Sequence, residues 1–198
     1  LSGKWSDATT GTATLEYATT EDGTNWTAWT KMSDVTQSTA ESSWSAYITI
    51  TEGVSRGIKI RATDAAGNET VPTETTTQFS GLTVDFSVPT ITTAAPVPEY
   101  VKNGETLTIT GNYSDTYGIK ELTATATHDG TTVESESDGY LFTYTDGTFS
   151  VTVDPSALTS EGTWNFSITA TDKAERTSTV ANLTTLIDTV APEWKTAP

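Results

Sequence analysis

The sequence contains no cysteine, one methionine and a single histidine, His128. Without cysteine there is neither a disulfide framework nor a thiol nucleophile. His128 lies beside Asp129-Gly130, a pair typical of a solvated hairpin turn, so no histidine-dependent nucleophile–base pair can be assembled. No glycine loop for phosphate and no zinc-ligand spacing is present. We therefore expect a protein that is not an enzyme.

Positive charge and long apolar runs are also scarce. The 198 residues include 10 Lys and Arg against 26 Asp and Glu, which gives a formal net charge of −16. Because phosphate groups repel a chain of this charge, we expect neither nucleic acid nor an anionic membrane surface as a partner. No run approaches the roughly 20 apolar residues of a membrane-spanning helix, so no membrane insertion is expected in this segment.

Small hydroxyl residues are abundant, with 46 Thr and 18 Ser. They alternate with apolar residues, as in 107–110, 149–153 and 166–170. Alternation with a period of two, rich in β-branched residues, predicts strands with one face in a core and the other in water. Threonine suits the wet face because its branched Cβ fits the pleat while its hydroxyl meets solvent. The pattern predicts an all-β chain.

Two sequence motifs recur at one common offset of 108 positions. Residues 3–7 (GKWSD) return as 111–115 (GNYSD), and residues 60–64 (IRATD) return as 168–172 (ITATD). Two independent motifs in the same register indicate two homologous modules.

A third motif marks the module boundaries. Residues 84–89 and 187–192 both read as an apolar residue, Asp, three residues and Pro. Proline has no N–H to donate, which suits a junction between sheets. We therefore assign residues 1–84 to the first module, 85–188 to the second, and 189–198 to the start of a following module or a donor strand.

Turn signals divide the second module into seven short predicted strands: 89–95, 105–112, 119–127, 139–145, 148–153, 163–171 and 177–187. Seven strands in about 100 residues are typical of an immunoglobulin-like sandwich. The first module has a similar pattern from residue 12 onward, with strands near 12–19, 25–32, 44–50, 57–63 and 74–84. The predicted fold is two tandem immunoglobulin-like β-sandwiches, the first without its opening strand.

Two motifs resemble a known family. Residues 62–70 (ATDAAGNET) and 187–192 (IDTVAP) are similar to those of bacterial Ig-like repeats, which occur in tandem in large adhesin-type surface proteins. The resemblance covers both modules and implies an extracellular or cell-surface location. It also implies a structural role as stalk, adhesin spacer or filament body, with neighbouring copies or modules as partners. The second module departs from the motif, with Asp172-Lys173-Ala174-Glu175-Arg176 where the first has DAAGN.

The ends of the chain are out of phase with the repeat. The first module lacks what precedes Gly111 in the second, while residues 189–198 repeat the start of a module. One explanation is a segment of a longer array. The other is strand donation, in which residues 189–198 of one subunit complete the open first module of the next. A head-to-tail contact of this kind generates a filament.

Acidic residues form the candidate metal site. In an immunoglobulin-like sandwich, the start of the first strand and the B–C and F–G loops share one pole, so Asp85, Asp115 and Asp172 should meet there. Three gathered carboxylates suit Ca²⁺, and the family resemblance implies Ca²⁺ at module junctions. The alternative is that these residues only form Asx turns. The corresponding residues are Asp7 and Asp64 in the first module and Asp188 before a following one.

Glycosylation is indicated by five of the six asparagines, which lie in Asn-x-Ser/Thr sequences: Asn25, Asn68, Asn112, Asn165 and Asn182. About two such sequences are expected by chance at this Ser and Thr content. The excess favours a glycosylated surface protein, although Asn68 is also a natural turn residue.

Tryptophans raise an alternative function. Trp26 and Trp29 could form a platform for sugar stacking, which would make the chain a carbohydrate-binding accessory module that contacts surface glycans. Their spacing of three, however, puts them on opposite faces of a strand. The remaining aromatic residues in strand patterns are expected in the core: Trp5, Trp44, Tyr113 and Trp164.

Overall fold

The computed structural model describes residues 1–32, 39–70, 72–73, 77–94, 96–102, 104–134, 140–153 and 160–195. Those residues form two compact units, Leu1–Phe86 and Ser87–Pro198. They contain fifteen strands and no helix, so the all-β prediction is confirmed. Within these ranges, therefore, no helix long and apolar enough to cross a bilayer is found. The last residues of the predicted donor strand, 196–198, lie outside the described residues.

The first unit contains six strands in two sheets. β1 (Ser2–Trp5) pairs antiparallel with β4 (Ser42–Ser45). The second sheet has the order β3-β2-β5-β6, and its strands are β3 (Thr30–Lys31), β2 (Thr12–Thr20), β5 (Gly53–Asp64) and β6 (Gln78–Val84). Four buried residues form the core of this unit: Leu15, Met32, Ile58 and Ile60.

The second unit contains nine strands in two sheets. The five-stranded sheet has the order β11-β10-β14-β15-β8, and its strands are β11 (Thr131–Glu134), β10 (Ile119–His128), β14 (Gly162–Asp172), β15 (Thr177–Asp188) and β8 (Tyr100–Lys102). The four-stranded sheet has the order β12-β13-β9-β7, and its strands are β12 (Tyr140–Thr145), β13 (Thr148–Val153), β9 (Leu107–Ser114) and β7 (Thr90–Thr93). All pairs are antiparallel except β8 on β15.

Fifteen buried residues drawn from both sheets form the core of the second unit. The alternation that predicted the strands is visible in β14, where Phe166, Ile168 and Ala170 are buried while Ser167 and Thr169 are not. On the outer face, the Thr169 hydroxyl lies 2.8 Å from that of Thr179 on β15. Threonine therefore supplies cross-strand hydrogen bonds as well as β-propensity.

Three short strands were not predicted. β8 has only three residues, and β1 and β11 have four each. Period-two alternation needs at least four to eight residues to be visible, which is why segments of this length escape it. β11 forms because Asp129 and Gly130 both adopt positive φ, 48° and 78°, and so close a two-residue hairpin after β10.

Both units are built on one plan. β1, β2 and β5 of the first unit match β9, β10 and β14 of the second at the offset of 108 positions. In the second unit, β7 pairs with β9 in one sheet and β8 pairs with β15 in the other, so the opening segment contributes to both sheets. This is the strand arrangement of an immunoglobulin-like sandwich, and the predicted fold class is confirmed.

Candidate metal centre

Three carboxylates lie together, those of Asp85, Asp115 and Asp172. Asp85 directly follows β6, Asp115 directly follows β9, and Asp172 is the last residue of β14. One carboxylate oxygen from each residue lies within 4.8 Å of the other two. Asp172 is fully buried and Asp85 is 7 % exposed. The structure thus brings together the three residues that the sequence placed at one pole.

Each loop uses one carboxylate oxygen to fix its own turn. Oδ1 of Asp115 accepts two backbone N–H groups of its loop, both at 2.8 Å, and Oδ1 of Asp172 accepts two of its loop at 2.7 and 2.8 Å. These are the Asx turns that the alternative interpretation expected. These hydrogen bonds use only one of the two oxygens of each carboxylate.

The second oxygen of each of these two carboxylates is differently placed. Oδ2 of Asp115 and Oδ2 of Asp172 are buried and accept no hydrogen bond from the part of the chain that the structure describes. Nη1 of Arg176 forms an ion pair with Oδ2 of Asp172 at 4.0 Å and donates a hydrogen bond to the Ser87 carbonyl at 3.2 Å. Buried carboxylate oxygens are costly unless a cation or a proton compensates them. Hard cations such as Ca²⁺ bind through such oxygens.

The corresponding pair in the first unit, Asp7 and Asp64, has its oxygens engaged locally. Oδ1 of Asp7 accepts three backbone N–H groups of its loop, and these bonds lower the pKa of Asp7. Asp64 is held by Asn68, whose side-chain amide and backbone N–H each donate at 2.7 Å and lower the pKa of Asp64. Among the described residues no third carboxylate joins this pair. Asp188 is exposed, and its Oδ1 accepts the N–H of Val190.

The asparagines of the five glycosylation sequences differ in accessibility. Asn165 is half-buried on β14, and the other four are exposed. The amides of Asn25 and Asn68 donate to neighbouring aspartates at 2.6 and 2.7 Å. Asn182 adopts a φ of 59° in a bulge of β15, and Asn112 lies on the outer face of β9. Asn112 and Asn182 are therefore the most accessible of the five candidate glycosylation sites.

Trp26 and Trp29 lie on the same side of the first unit, which differs from the predicted opposite faces. Nζ of Lys59 is 4.6 Å from the Trp26 ring centre and 5.0 Å from that of Trp29. The guanidinium of Arg61 covers Trp29 at 4.5 Å. Both tryptophans precede β3 rather than lying within it, so strand alternation does not apply to them. The two indoles stack on cations of the same sheet, which competes with sugar stacking.

The remaining aromatic side chains pack as expected, with one exception. Trp164 is buried, and Trp5, Trp44 and Tyr113 pack against the cores of their units. His128 is not the solvated turn residue that was expected: its side chain is 13 % exposed and stacks on Trp164 at 4.9 Å. Arg176 is the residue at the candidate site that sequence reasoning missed, and its departure from the DAAGN motif was the available signal.

No family model matches the chain, and no curated protein matches it in sequence. Among solved structures it is similar to the fibronectin(III)-like modules of Clostridium thermocellum CbhA, at 17 % identity and a TM-score of 0.39, over 95 % of this chain and 85 % of that one. It is also similar to the titin Ig tandem A164-A165, at 14 % identity and a TM-score of 0.37, over 96 % and 97 %. A third is a Ca²⁺-stabilized adhesin with which an Antarctic bacterium binds ice, at 18 % identity and a TM-score of 0.34, over 97 % of this chain and 50 % of that chain.

The three solved structures are immunoglobulin-like or fibronectin-like modules and include an adhesin. At TM-scores below 0.5 these structures do not identify the fold. The fold assignment of this chain therefore depends on its own strand order and register.

Proposed function

We propose that this chain is a non-catalytic, extracellular or cell-surface structural segment: a stalk or adhesin spacer of tandem immunoglobulin-like modules that binds Ca²⁺ through Asp85, Asp115 and Asp172. The observation that carries the proposal is the group of three carboxylates, two buried and that of Asp115 half-buried, with one oxygen of each within 4.8 Å of the others. Loops that only needed Asx turns would not require these carboxylates to converge in the protein interior.

Two features of the group support a cation rather than a purely structural role. Asp172 is fully buried, and both Asp172 and Asp115 have a buried Oδ2 that accepts no hydrogen bond from the described residues. Arg176 forms an ion pair with Asp172, with Nη1 4.0 Å from Oδ2, and this distance is too long for a hydrogen bond to that oxygen. Ca²⁺ takes six to eight oxygen ligands, so backbone carbonyls and water would complete the shell around these three side chains.

The position of Asp85 in the chain gives the cation a mechanical consequence. Asp85 immediately follows β6, the last strand of the first unit, and precedes Pro89 and β7. A cation shared by Asp85 and two loops of the second unit restrains this connecting segment. We infer that Ca²⁺ stiffens this segment. A stiff segment is what a spacer needs in order to hold distance and orientation.

Calorimetric titration of the whole chain with CaCl₂, after removal of divalent ions, tests this function. We expect one site, with a dissociation constant on the order of 10⁻⁴–10⁻³ M, as in extracellular modules. Asp115→Asn keeps the Oδ1 acceptor of the turn but removes the charge, so binding should be lost while the fold remains. Asp7→Asn, at the matching position of the first unit, is the control and should bind normally.

Absence of heat in the wild-type chain, together with no change in melting temperature between Ca²⁺ and EGTA, would contradict the calcium site. Equal weakening by Asp115→Asn and Asp7→Asn would contradict its location.

We further propose that copies of the chain assemble head-to-tail by strand donation, with residues 189–198 entering the first unit of the next copy. Support comes from β1, whose recorded partner among the described residues is β4 on one side, whereas the equivalent β9 pairs with β13 and also with β7. In such a filament, Asn112 and Asn182 are the proposed glycosylation sites because both are exposed.

A further inference from the structure

The F–G loops of the two units have the same backbone hydrogen bonds around their aspartate. In the first, the N–H of Asp64 donates to the Asn68 carbonyl at 2.9 Å, and the Asn68 N–H donates to Oδ1 of Asp64 at 2.7 Å. In the second, Asp172 and Arg176 form the same two bonds at 2.9 and 2.8 Å. Residues 68 and 176 correspond at the offset of 108 positions. At this position the loops therefore differ in the side chain and not in the backbone.

The two side chains meet the second carboxylate oxygen in different ways. Nδ2 of Asn68 donates to Oδ2 of Asp64 at 2.7 Å. Nη1 of Arg176 lies 4.0 Å from Oδ2 of Asp172, which is ion-pair distance but too long for a hydrogen bond. The second unit thus has a full positive charge at longer range where the first has a short contact with an uncharged amide.

The guanidinium of Arg176 is held beside the carboxylate but is not enclosed with it. Nη1 donates to the Ser87 carbonyl at 3.2 Å. The Arg176 side chain is 30 % exposed, whereas that of Asp172 is fully buried. A guanidinium has five N–H donors and keeps its charge at every pH at which the chain is folded. Because part of it already contacts water, it can move outward at a modest cost.

A fixed positive charge at this place has two opposite effects. One oxygen of each of the three carboxylates lies within 4.8 Å of the others, so their charges repel one another. A cation beside Asp172 relieves part of that repulsion. The same charge repels any second cation that approaches the group. Arg176 should therefore stabilise the chain without Ca²⁺ and oppose the binding of Ca²⁺.

We propose that Arg176 is a built-in competitor of Ca²⁺ at the group of Asp85, Asp115 and Asp172, and that it sets the Ca²⁺ concentration at which the site fills. This inference deepens the calcium site of the proposed function and rests on it. The competing charge is permanent, so the threshold does not vary with pH in the neutral range. It keeps the site in the weak-binding range of extracellular modules, on the order of 10⁻⁴–10⁻³ M.

Calorimetric titration of the whole chain with CaCl₂ tests the proposal with matched variants. Arg176→Met removes the charge but keeps a long side chain over the loop. Its dissociation constant for Ca²⁺ should be about tenfold lower than that of the wild type, since water screens only part of the repulsion. Arg176→Lys keeps the charge and should bind Ca²⁺ nearly as the wild type does. Lys102→Met is the control, because it removes one charge from an exposed pair with Glu105 and should leave the affinity unchanged.

Melting temperatures provide a second readout that a purely structural role would not move in the same way. In EGTA, Arg176→Met should melt below Lys102→Met, because the carboxylates lose their internal counter-charge. With saturating Ca²⁺ this deficit should disappear or reverse, because the ion supplies the charge. If Arg176→Met does not fold in EGTA, Arg176→Gln takes its place, since its amide can still donate to the Ser87 carbonyl.

The outcomes separate this inference from the calcium site itself. Binding by the wild type with no gain in Arg176→Met overturns the competition and leaves the calcium site standing. Weaker binding in Arg176→Met also overturns it, because Arg176 would then support the ion's ligands. Binding in Arg176→Met alone upholds the competition but overturns calcium binding by the natural chain. No binding in either chain overturns both, and an equal loss of melting temperature in EGTA and in Ca²⁺ identifies a structural role instead.

Discussion

The two units present an equivalent pair of aspartates on equivalent loops but surround the pair differently. In the first, Asn68 donates to both oxygens of Asp64. In the second, Arg176 occupies the corresponding position; its Nη1 lies 4.0 Å from Oδ2 of Asp172, and that oxygen accepts no hydrogen bond from the described part of the chain. The comparison teaches that one residue in a loop decides whether both oxygens of a turn-forming carboxylate are hydrogen-bonded within the loop.

The cores of the two units also differ in size. The second unit buries fifteen residues in one cluster, including Ile91 of β7 and Val101 of β8. The first buries four, and the described residues provide neither of these opening strands. In the second unit, an opening segment that contributes a strand to both sheets therefore adds buried residues to the core from each of them.

The largest expected effect comes from matched core truncations. Ile168 is fully buried, and its counterpart Ile60 is 7 % exposed and lines a solvent-accessible pocket of about 570 Å³ in the first unit. We expect Ile168→Ala to lower the free energy of unfolding of the second unit by about 3–5 kcal/mol and Ile60→Ala to lower that of the first by about 2 kcal/mol, because the open site relaxes more easily. Urea unfolding followed by hydrogen exchange of each unit measures both. Equal losses would contradict the difference between the cores.

The next largest expected effect is a change in stability at the three-carboxylate group that reverses its sign when Ca²⁺ is added. Asp115→Asn removes one of three neighbouring negative charges, so in EGTA it should stabilise the chain by about 1 kcal/mol. With saturating Ca²⁺ it should destabilise the chain by a similar amount, since a ligand is lost. Melting curves under the two conditions test this. A shift of the same direction in both would argue against a shared cation site.

A smaller effect separates the two F–G loops. Gly67 has a φ of 90°, and a Cβ there would touch nothing within 4 Å, so Gly67→Ala should cost about 1 kcal/mol of backbone strain alone. Its counterpart Glu175 already tolerates a φ of 64° and pairs with Lys120 at 2.7 Å. Glu175→Gly should change stability by less than about 1 kcal/mol, because relief of strain offsets the lost exposed ion pair. Denaturant midpoints of the two variants compare them. A larger loss from Glu175→Gly than from Gly67→Ala would contradict this.

The smallest effect is the acid sensitivity of the first unit. Backbone hydrogen bonds lower the pKa of Asp7 below its usual 3.8, so the folded chain binds this proton less tightly than the unfolded chain does. The corresponding stabilisation is present above the unfolded pKa and is lost as the pH falls through the lower folded pKa. Asp7→Asn should flatten the decline in stability of the first unit below about pH 4. Melting temperatures between pH 5 and pH 2 measure it, and an unchanged decline would rule out this contribution.

Much of this architecture could be predicted from sequence because its cause is periodic. Alternation of Thr with apolar residues located the long strands, and the offset of 108 positions showed two modules. The convergence of Asp85, Asp115 and Asp172 followed from fold topology alone. Topology fixes which loops meet, so residues that directly follow strands lie where those loops meet.

The remaining features depend on side-chain direction, which pattern does not encode. The placement of the Arg176 guanidinium depends on the Ser87 carbonyl, 89 positions away in sequence. Trp26 and Trp29 converge on Lys59 because their loop, not a strand, sets their direction. β8 was missed because its three residues form through parallel pairing with β15, a long-range interaction.

Hydrogen exchange of the full chain with and without Ca²⁺ tests the central claim most directly. The account predicts slower exchange on Ca²⁺ addition in residues 84–90, 114–119 and 172–177, and unchanged exchange in the matching loops 6–11 and 64–69 of the first unit. Unchanged exchange throughout, or equal protection of both sets of loops, would contradict the claim that Asp85, Asp115 and Asp172 form an ion site and that Asp7 and Asp64 do not.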